Sequence, residues 1–150
     1  VVILIDNSQG GFLISQIKQI GGRIFEKILA EKNIDAFNGP QGRILYVLWQ
    51  ADSIPIKELS KKTGLALTTL TSMLDRMEAA GLVNRTLDKG DRRKILIVLT
   101  EKAHTLRTDY DEVSSKISEI YYQGFNDDEI SQFENYLVRI LKNLNEREKD

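Results

Sequence analysis

Residues 54–103 constrain the fold more than any other part of the chain, because they demand two short helices, a glycine turn and a hairpin in that order. Ile54-Pro55-Ile56 leads into a short helical segment, Lys57 to Lys62, and Gly64 follows as its C-cap, a position that favours glycine. Leu67 to Ala80 reads as a second helix with Leu70, Leu74 and Met77 on its buried face, and Gly81 stops it. Two alternating runs come next, 82–86 and 95–99. Between them lies Asp88-Lys89-Gly90-Asp91, a turn signal containing the glycine a hairpin favours. Two helices joined by a tight glycine-containing turn and followed by a β-hairpin form a winged helix-turn-helix pattern. There the second helix fits a DNA major groove while the hairpin reaches the neighbouring backbone or minor groove.

The side chains suit that role. With Leu70, Leu74 and Met77 turned inward, the second helix presents Thr68, Thr69, Thr71, Ser72, Asp75 and Arg76. Thr69, Ser72 and Arg76 are spaced by three and four residues and share one face. Small hydroxyls let a helix approach closely and bond phosphates or base edges, and an arginine can grip guanine. Threonine is a mediocre helix former, so helix propensity does not explain three of them within four positions. The alternative is a bland polar face. At the hairpin, Lys89, Arg92, Arg93 and Lys94 gather four cations around one tip, suited to phosphate neutralisation or minor-groove insertion. Charges that merely protect a strand edge are the competing explanation.

The string Asp91-Arg92-Arg93-Lys94-Ile95-Leu96-Ile97-Val98-Leu99-Thr100-Glu101-Lys102-Ala103 resembles the wing signature of the MarR family, the multiple antibiotic resistance type regulators. That signature reads Asp-x-Arg-x-x-x-Val-x-Leu-Thr, usually followed by Glu-Lys-Gly or Glu-Lys-Ala. Asp91, Arg93, Leu99 and Thr100 match it, and Ile97 replaces valine while keeping the β-branch. Ile56-Lys57-Glu58-Leu59-Ser60 and the exit Leu74–Val83 are similar to the family's helix-turn-helix, so the likeness covers roughly 54–103. The resemblance implies a dimeric, mostly helical DNA-binding regulator in which intertwined N- and C-terminal helices form the dimer domain. It implies that Arg93 reaches the minor groove, that Arg92 meets a phosphate, and that Asp91 orients its basic neighbours. Thr69, Ser72 and Arg76 fall where the family's recognition-helix contacts usually lie. Many members release DNA when a small phenolic or anionic molecule binds between the dimer and DNA-binding regions. Arg23, Tyr46, Trp49 and Tyr110 are candidates for such an effector site, with ordinary packing or surface roles as the alternative.

The flanks carry apolar stripes. Leu13, Ile17, Ile20, Ile24 and Ile28 recur at helical spacing from about Ser8 to Ala30, interrupted by Gly21-Gly22, which implies a bend or a close backbone contact. Asn38-Gly39-Pro40 marks a turn into a strongly apolar helix, Gln41 to Gln50, destined for the middle of the core. Thr100 caps a long helix bearing Leu106, Tyr110, Val113, Ile117 and Ile120, a heptad seam about two repeats long. Asn126 and Glu129 resemble a capping box before a last helix lined by Ile130, Phe133, Leu137, Ile140 and Leu144. A two-fold interface would bury such stripes and set two recognition helices about one DNA turn apart; packing within one chain is the alternative. The expected architecture is mainly α with a small β-wing. It is one chain, 1–150, with dimerisation helices at 8–37 and 104–146 around a winged helix-turn-helix DNA-binding region at 40–103.

Composition removes other classes. No Cys is present and His104 is the single His, so disulfides, thiolate chemistry, Cys-zinc sites and multi-His metal sites are excluded, and no cofactor is implied. His104 reads as an exposed helix residue beside Glu101 and Lys102. No Gly-rich phosphate loop, metal cluster or nucleophile–base pair points to an enzyme. No run approaches the roughly 18 apolar residues of a membrane span. Val1-Val2-Ile3-Leu4-Ile5 lacks a basic flank and stops at Asp6, unlike a secretory signal. It also lacks an initiator Met, as a trimmed chain would. Cytoplasmic residence is the expectation. The net charge of −1 hides an asymmetry: residues 57–107 hold 11 Lys+Arg and 6 Asp+Glu, a net of +5, leaving −6 elsewhere. A basic lobe between acidic helices fits a double-stranded DNA operator as partner; the apolar stripes point to a homodimer, and the family resemblance implies a small-molecule effector. The runner-up is a winged-helix protein–protein module, although exposed aromatic or aliphatic anchors would then be expected.

Overall fold

The computed structural model describes Ile5 and residues 7–149. Val1–Leu4 and Asp6 lie outside the described residues, and with them the expectation that the opening run is no secretory leader. The chain divides into two compact units, Val1–Ser115 and Lys116–Asp150.

In the first unit, α1 (Gly10–Glu31) is followed by α2 (Gly39–Gln50), β1 (Ile54–Pro55), α3 (Ile56–Thr63), α4 (Leu67–Ala79), β2 (Val83–Leu87), β3 (Ile95–Leu99) and α5 (Glu101–Thr105). Helix α6 (Arg107–Tyr121) begins here and runs past the division. Helix α1 continues through Gly21-Gly22 as one element, and a Cβ on Gly22 would meet nothing within 4 Å. No close neighbour accounts for Gly22. Helix α2 opens with the capping box of Asn38 and Gln41, whose side chains each accept from the other's backbone N–H, and with Pro40 in its first turn. Its face carrying Ile44, Leu45 and Leu48 is fully buried, whereas Tyr46 on the other side is exposed. Leu59 of α3, Leu70, Leu74 and Met77 of α4, Leu82, Val83, Ile97 and Val113 are fully buried as well. Each such side chain contributes roughly 1.5–3 kcal/mol relative to exposure, which makes the helix-turn-helix and the wing one structural body.

The sheet contains a strand that the sequence pattern does not announce. Among the described residues it is three-stranded, in the order β1-β3-β2 and antiparallel throughout, with Ile54 opposite Ile97 and Pro55 opposite Leu96. Two residues are too few to show a period of two, and Pro55 lacks an N–H; an edge strand tolerates both. Strands β2 and β3 pair in register from Val83↔Leu99 to Leu87↔Ile95.

The expected long helix after Thr100 is two helices. Leu106 interrupts it, and its N–H bonds the Ala103 carbonyl at 3.2 Å, three residues back. The same carbonyl accepts from Trp49 Nε1 at 3.2 Å, so α2 holds the chain at the break. From there Tyr110 and Val113 are buried. Tyr110 is an aromatic hub, with ring centroids 5.4 Å from Trp49, 5.8 Å from Tyr46, 6.0 Å from Phe25 and 6.1 Å from Phe37.

In the second unit, α7 (Asp127–Glu148) opens with the full Asn126–Glu129 capping box, and Asp127, Asp128 and Glu129 suit its positive N-terminal dipole. The Tyr122 hydroxyl donates to Glu134 Oε2 at 2.6 Å, beside the Phe125 and Phe133 rings. Phe133, Leu137, Ile140 and Leu144 on α7 are exposed, as are Leu13, Ile17 and Ile20 on α1. Among the described residues no helix is long and apolar enough to cross a membrane.

Candidate nucleic-acid interface

The turn between α3 and α4 begins at Gly64, whose φ of +76° closes α3 in the left-handed region where glycine carries no steric penalty. The Ser60 hydroxyl reaches over the turn to the Leu65 carbonyl at 2.6 Å. Helix α4 then presents Thr68, Thr69, Ser72 and Arg76 to solvent, opposite its buried Leu70, Leu74 and Met77. Arg76 Nη2 donates to Ser72 Oγ at 3.0 Å, so two members of the predicted face are joined by a hydrogen bond one turn apart. Thr71 bonds back to the Leu67 carbonyl at 2.8 Å and is turned to its own backbone.

The end of α4 is held by residues that lie just beyond the wing. Gly81 turns the chain with a φ of +77°. Its carbonyl accepts from Thr100 Oγ1 at 2.6 Å, the Ala80 carbonyl accepts from Lys102 Nζ at 3.0 Å, and the Leu82 carbonyl accepts from Thr100 N at 3.2 Å. Thr100 Oγ1 also accepts from Ala103 N at 3.2 Å and caps α5. The Leu99-Thr100-Glu101-Lys102-Ala103 string is therefore a clamp that fixes the C-terminus of α4 to the base of the wing. Asp52 closes the other side: its Oδ1 accepts from Leu99 N at 3.0 Å, and its Oδ2 lies 3.7 Å from His104 Nε2. His104 is exposed and its acidic neighbour is Asp52, from a distant part of the sequence.

At the tip, aspartates rather than a left-handed glycine shape the turn. Gly90 is not among the positive-φ glycines, so the expected glycine-dependent hairpin turn is corrected. Instead Asp88 Oδ1 accepts from Gly90 N at 3.0 Å, Asp91 Oδ1 accepts from Arg93 N at 3.0 Å, and Asp88 N donates to the Lys94 carbonyl at 3.0 Å. Asp91 also meets the Arg93 side chain, with Nε to Oδ1 at 3.2 Å. The Arg93 guanidinium, then its backbone N–H, holds the Asp91 carboxyl below its ordinary value. The Arg93 side chain is 92% exposed beside this anchor, and Lys89, Arg92 and Lys94 are exposed around it.

Sequence reasoning missed Arg85. Its Nη2 meets Asp75 Oδ1 on α4 at 2.5 Å, and its backbone N–H donates to Glu78 Oε2 at 3.2 Å. The usable signal was its place in β2, on the same face as Val83, opposite a helix carrying two carboxylates at 75 and 78. Of the effector candidates, Tyr46, Trp49 and Tyr110 come together around the aromatic hub. Burial first, then neighbouring Tyr46 and Asp111, raises the Tyr110 hydroxyl against the opposing pull of Arg43. Arg23 is not among the ring contacts of the hub: it lines an adjoining groove of about 300 Å³ with Lys18, Phe25 and Arg43, of which Phe25 is shared with the hub.

A helix-turn-helix whose second helix is clamped to a basic hairpin defines a winged helix-turn-helix protein. Residues 37–95 match the model of the MarR family. The transcriptional regulator TtmR of Methylorubrum extorquens is 34% identical over 101 residues, 67% of this chain and 50% of that protein, so the chain spans about half of TtmR's length. The CouR structure from Rhodococcus jostii, bound to p-coumaroyl-CoA, matches with a TM-score of 0.76 at 26% identity over 89% of this chain and 92% of CouR. A mutant MarR from E. coli complexed with operator DNA matches in fold with a TM-score of 0.78, at 24% identity over 92% of this chain and 97% of that one. Residues 37–95 therefore carry a MarR-family domain.

Proposed function

We propose that this protein is a sequence-specific transcriptional regulator, acting as a repressor, that binds a pseudo-palindromic DNA operator as a homodimer. One observation carries the reading: α4 exposes Thr68, Thr69, Ser72 and Arg76 on an element clamped by Thr100, Lys102 and Arg85 to a wing bearing Lys89, Arg92, Arg93 and Lys94. In this reading α4 enters the major groove, Arg93 enters the minor groove or meets the backbone, and Arg92, Lys89 and Lys94 neutralise phosphates. Asp91 keeps Arg93 oriented before DNA arrives.

Homodimerisation rests on the exposed apolar stripes of α1 and α7, which a two-fold partner would cover. Regulation by a small molecule draws on CouR, whose structure holds p-coumaroyl-CoA. Tyr46, Trp49 and Tyr110 are the residues of this chain assigned to an effector response, with Arg23 as an anion partner reached from the neighbouring groove. The aromatic hub supports this, because Trp49 and Tyr110 also brace the α5–α6 break next to the wing clamp. A ligand there would shift regulation only through unequal affinity for two conformations. The protein is assigned to the cytoplasm with its target.

Fluorescence anisotropy with the duplex flanking its own gene, in competition with a scrambled duplex, tests the reading. Preferential saturable binding is expected, with light scattering giving twice the 17.1 kDa chain mass. Equal affinity for both duplexes, or a monomer at micromolar concentration, would contradict it.

A further inference from the structure

The wing carries an apolar pair that the intramolecular core does not use. Leu87 and Ile95 face each other as the last pair of the β2–β3 ladder, yet they are 61% and 49% exposed. Alternation along the strands puts them on the same face as Val83, Ile97 and Leu99, all buried, and as Arg85, which reaches Asp75 on α4. That face therefore looks toward the recognition-helix side of the hairpin, and the pair extends it past the edge of the core. Directly beyond the pair stand the exposed Lys89, Arg92, Arg93 and Lys94. An apolar step flanked by cations is poorly suited to water, and it matches a partner whose surface alternates anionic phosphates with apolar sugar edges.

We infer that Leu87 and Ile95 form a DNA contact surface that packs against the deoxyribose edges of the strand passing between α4 and the wing. The inference rests on the DNA-binding reading above and assigns to it a term that the cations do not supply. Phosphate pairing by Arg92 or Arg93 weakens as salt rises, because each pairing releases counterions. Apolar burial against sugars releases none, so the Leu87–Ile95 contribution persists at high salt. Sugars carry little sequence information, so the pair adds affinity to any duplex that seats the wing. A solvent-exposed cross-strand pair that only stabilises the hairpin would instead act on folding alone.

The test measures dissociation constants of the full chain across a salt series, for the duplex flanking its gene and for a scrambled duplex of equal length. Threonine has high strand propensity, and at position 95 it keeps the β-branch, while removing apolar area, so Leu87→Thr, Ile95→Thr and the double variant are compared with Leu87→Val/Ile95→Val. The double threonine variant is expected to bind both duplexes on the order of tenfold more weakly, with the log–log salt slope of the wild type and an unchanged melting temperature. The double valine variant is expected to recover most of that loss. Unchanged affinity overturns the inference, and so does a loss matched by a fall in melting temperature or by a flatter salt slope. Failure of the wild type to bind either duplex at low salt would instead refute the DNA-binding reading itself.

Discussion

Arg85 on β2 and Asp75 on α4 form an ion pair across the groove side of the lobe, Nη2 to Oδ1, while Glu78 on the same helix accepts the Arg85 backbone N–H. A strand residue thus sets the distance between the helix assigned to the major groove and the hairpin assigned to the minor groove. Asp75 is largely exposed, so the pair contributes only about 0–1 kcal/mol to stability. Its geometric consequence is larger. Asp75→Asn is expected to shift urea stability by less than about 1 kcal/mol while lowering affinity for the flanking duplex by more than that cost implies. Arg85→Lys, which keeps the charge but not the reach and planar geometry of the guanidinium, is expected to lower affinity in the same way. Wild-type affinity in Asp75→Asn would remove the positioning role.

Thr100 has the opposite character, since one partly buried hydroxyl serves two helix ends. It accepts from Ala103 N and donates to the Gly81 carbonyl. Thr100→Val keeps the shape and deletes both bonds, and is expected to cost about 1–2 kcal/mol in urea unfolding, with Thr100→Ser recovering most of it. A valine variant of wild-type stability would show the clamp to be dispensable.

Residues on the outer face of α4 should govern which operator is chosen rather than how tightly any DNA is held. Thr69→Ala and Arg76→Ala are expected to reorder preference within a panel of single-base operator variants, each discriminating contact being worth about 1–3 kcal/mol. A uniform loss over the whole panel would make them backbone contacts.

Legibility in the sequence followed the length of each signal. The α4 face, the capping box at Asn126 and the cationic tip were readable from residues at characteristic spacings, whereas Asn38 read only as a turn and its capping box with Gln41 emerged from the structure. Strand β1 was not readable, since Ile54 and Pro55 take their pairing from β3 and carry no period of their own. The break at Leu106 was hidden because it coincides with a contact the local sequence does not announce, the Trp49 indole bonding the Ala103 carbonyl from 54 residues away. Gly90 suggested a glycine-dependent turn, but Asp88 and Asp91 side chains supply the hydrogen bonds that shape it. Arg85 escaped notice because its partners Asp75 and Glu78 lie on the neighbouring helix. The division at Ser115, inside one continuous helix, leaves no mark in composition.

Tyr122 provides a pH signature for the second unit. Burial, and then the hydrogen bond to Glu134, pushes its hydroxyl from 10.0 up to about 12. A group that holds its proton more tightly when folded stabilises the fold fully below the unfolded value and loses that contribution as pH climbs through the folded one. The stability difference between wild type and Tyr122→Phe is therefore expected to hold steady below pH 10 and to shrink between 10 and 12. A difference independent of pH across that window would contradict the bond to Glu134.

The salt dependence of binding to the flanking duplex, compared between wild type and Arg93→Ala, tests the DNA-binding claim most directly. Wild-type affinity is expected to fall steeply and linearly with salt on logarithmic axes. Removing the Arg93 charge should weaken binding and flatten the slope by about one. An Arg93→Ala variant with unchanged affinity and slope, or a wild type indifferent to salt, would contradict a wing that works by meeting the phosphates of DNA.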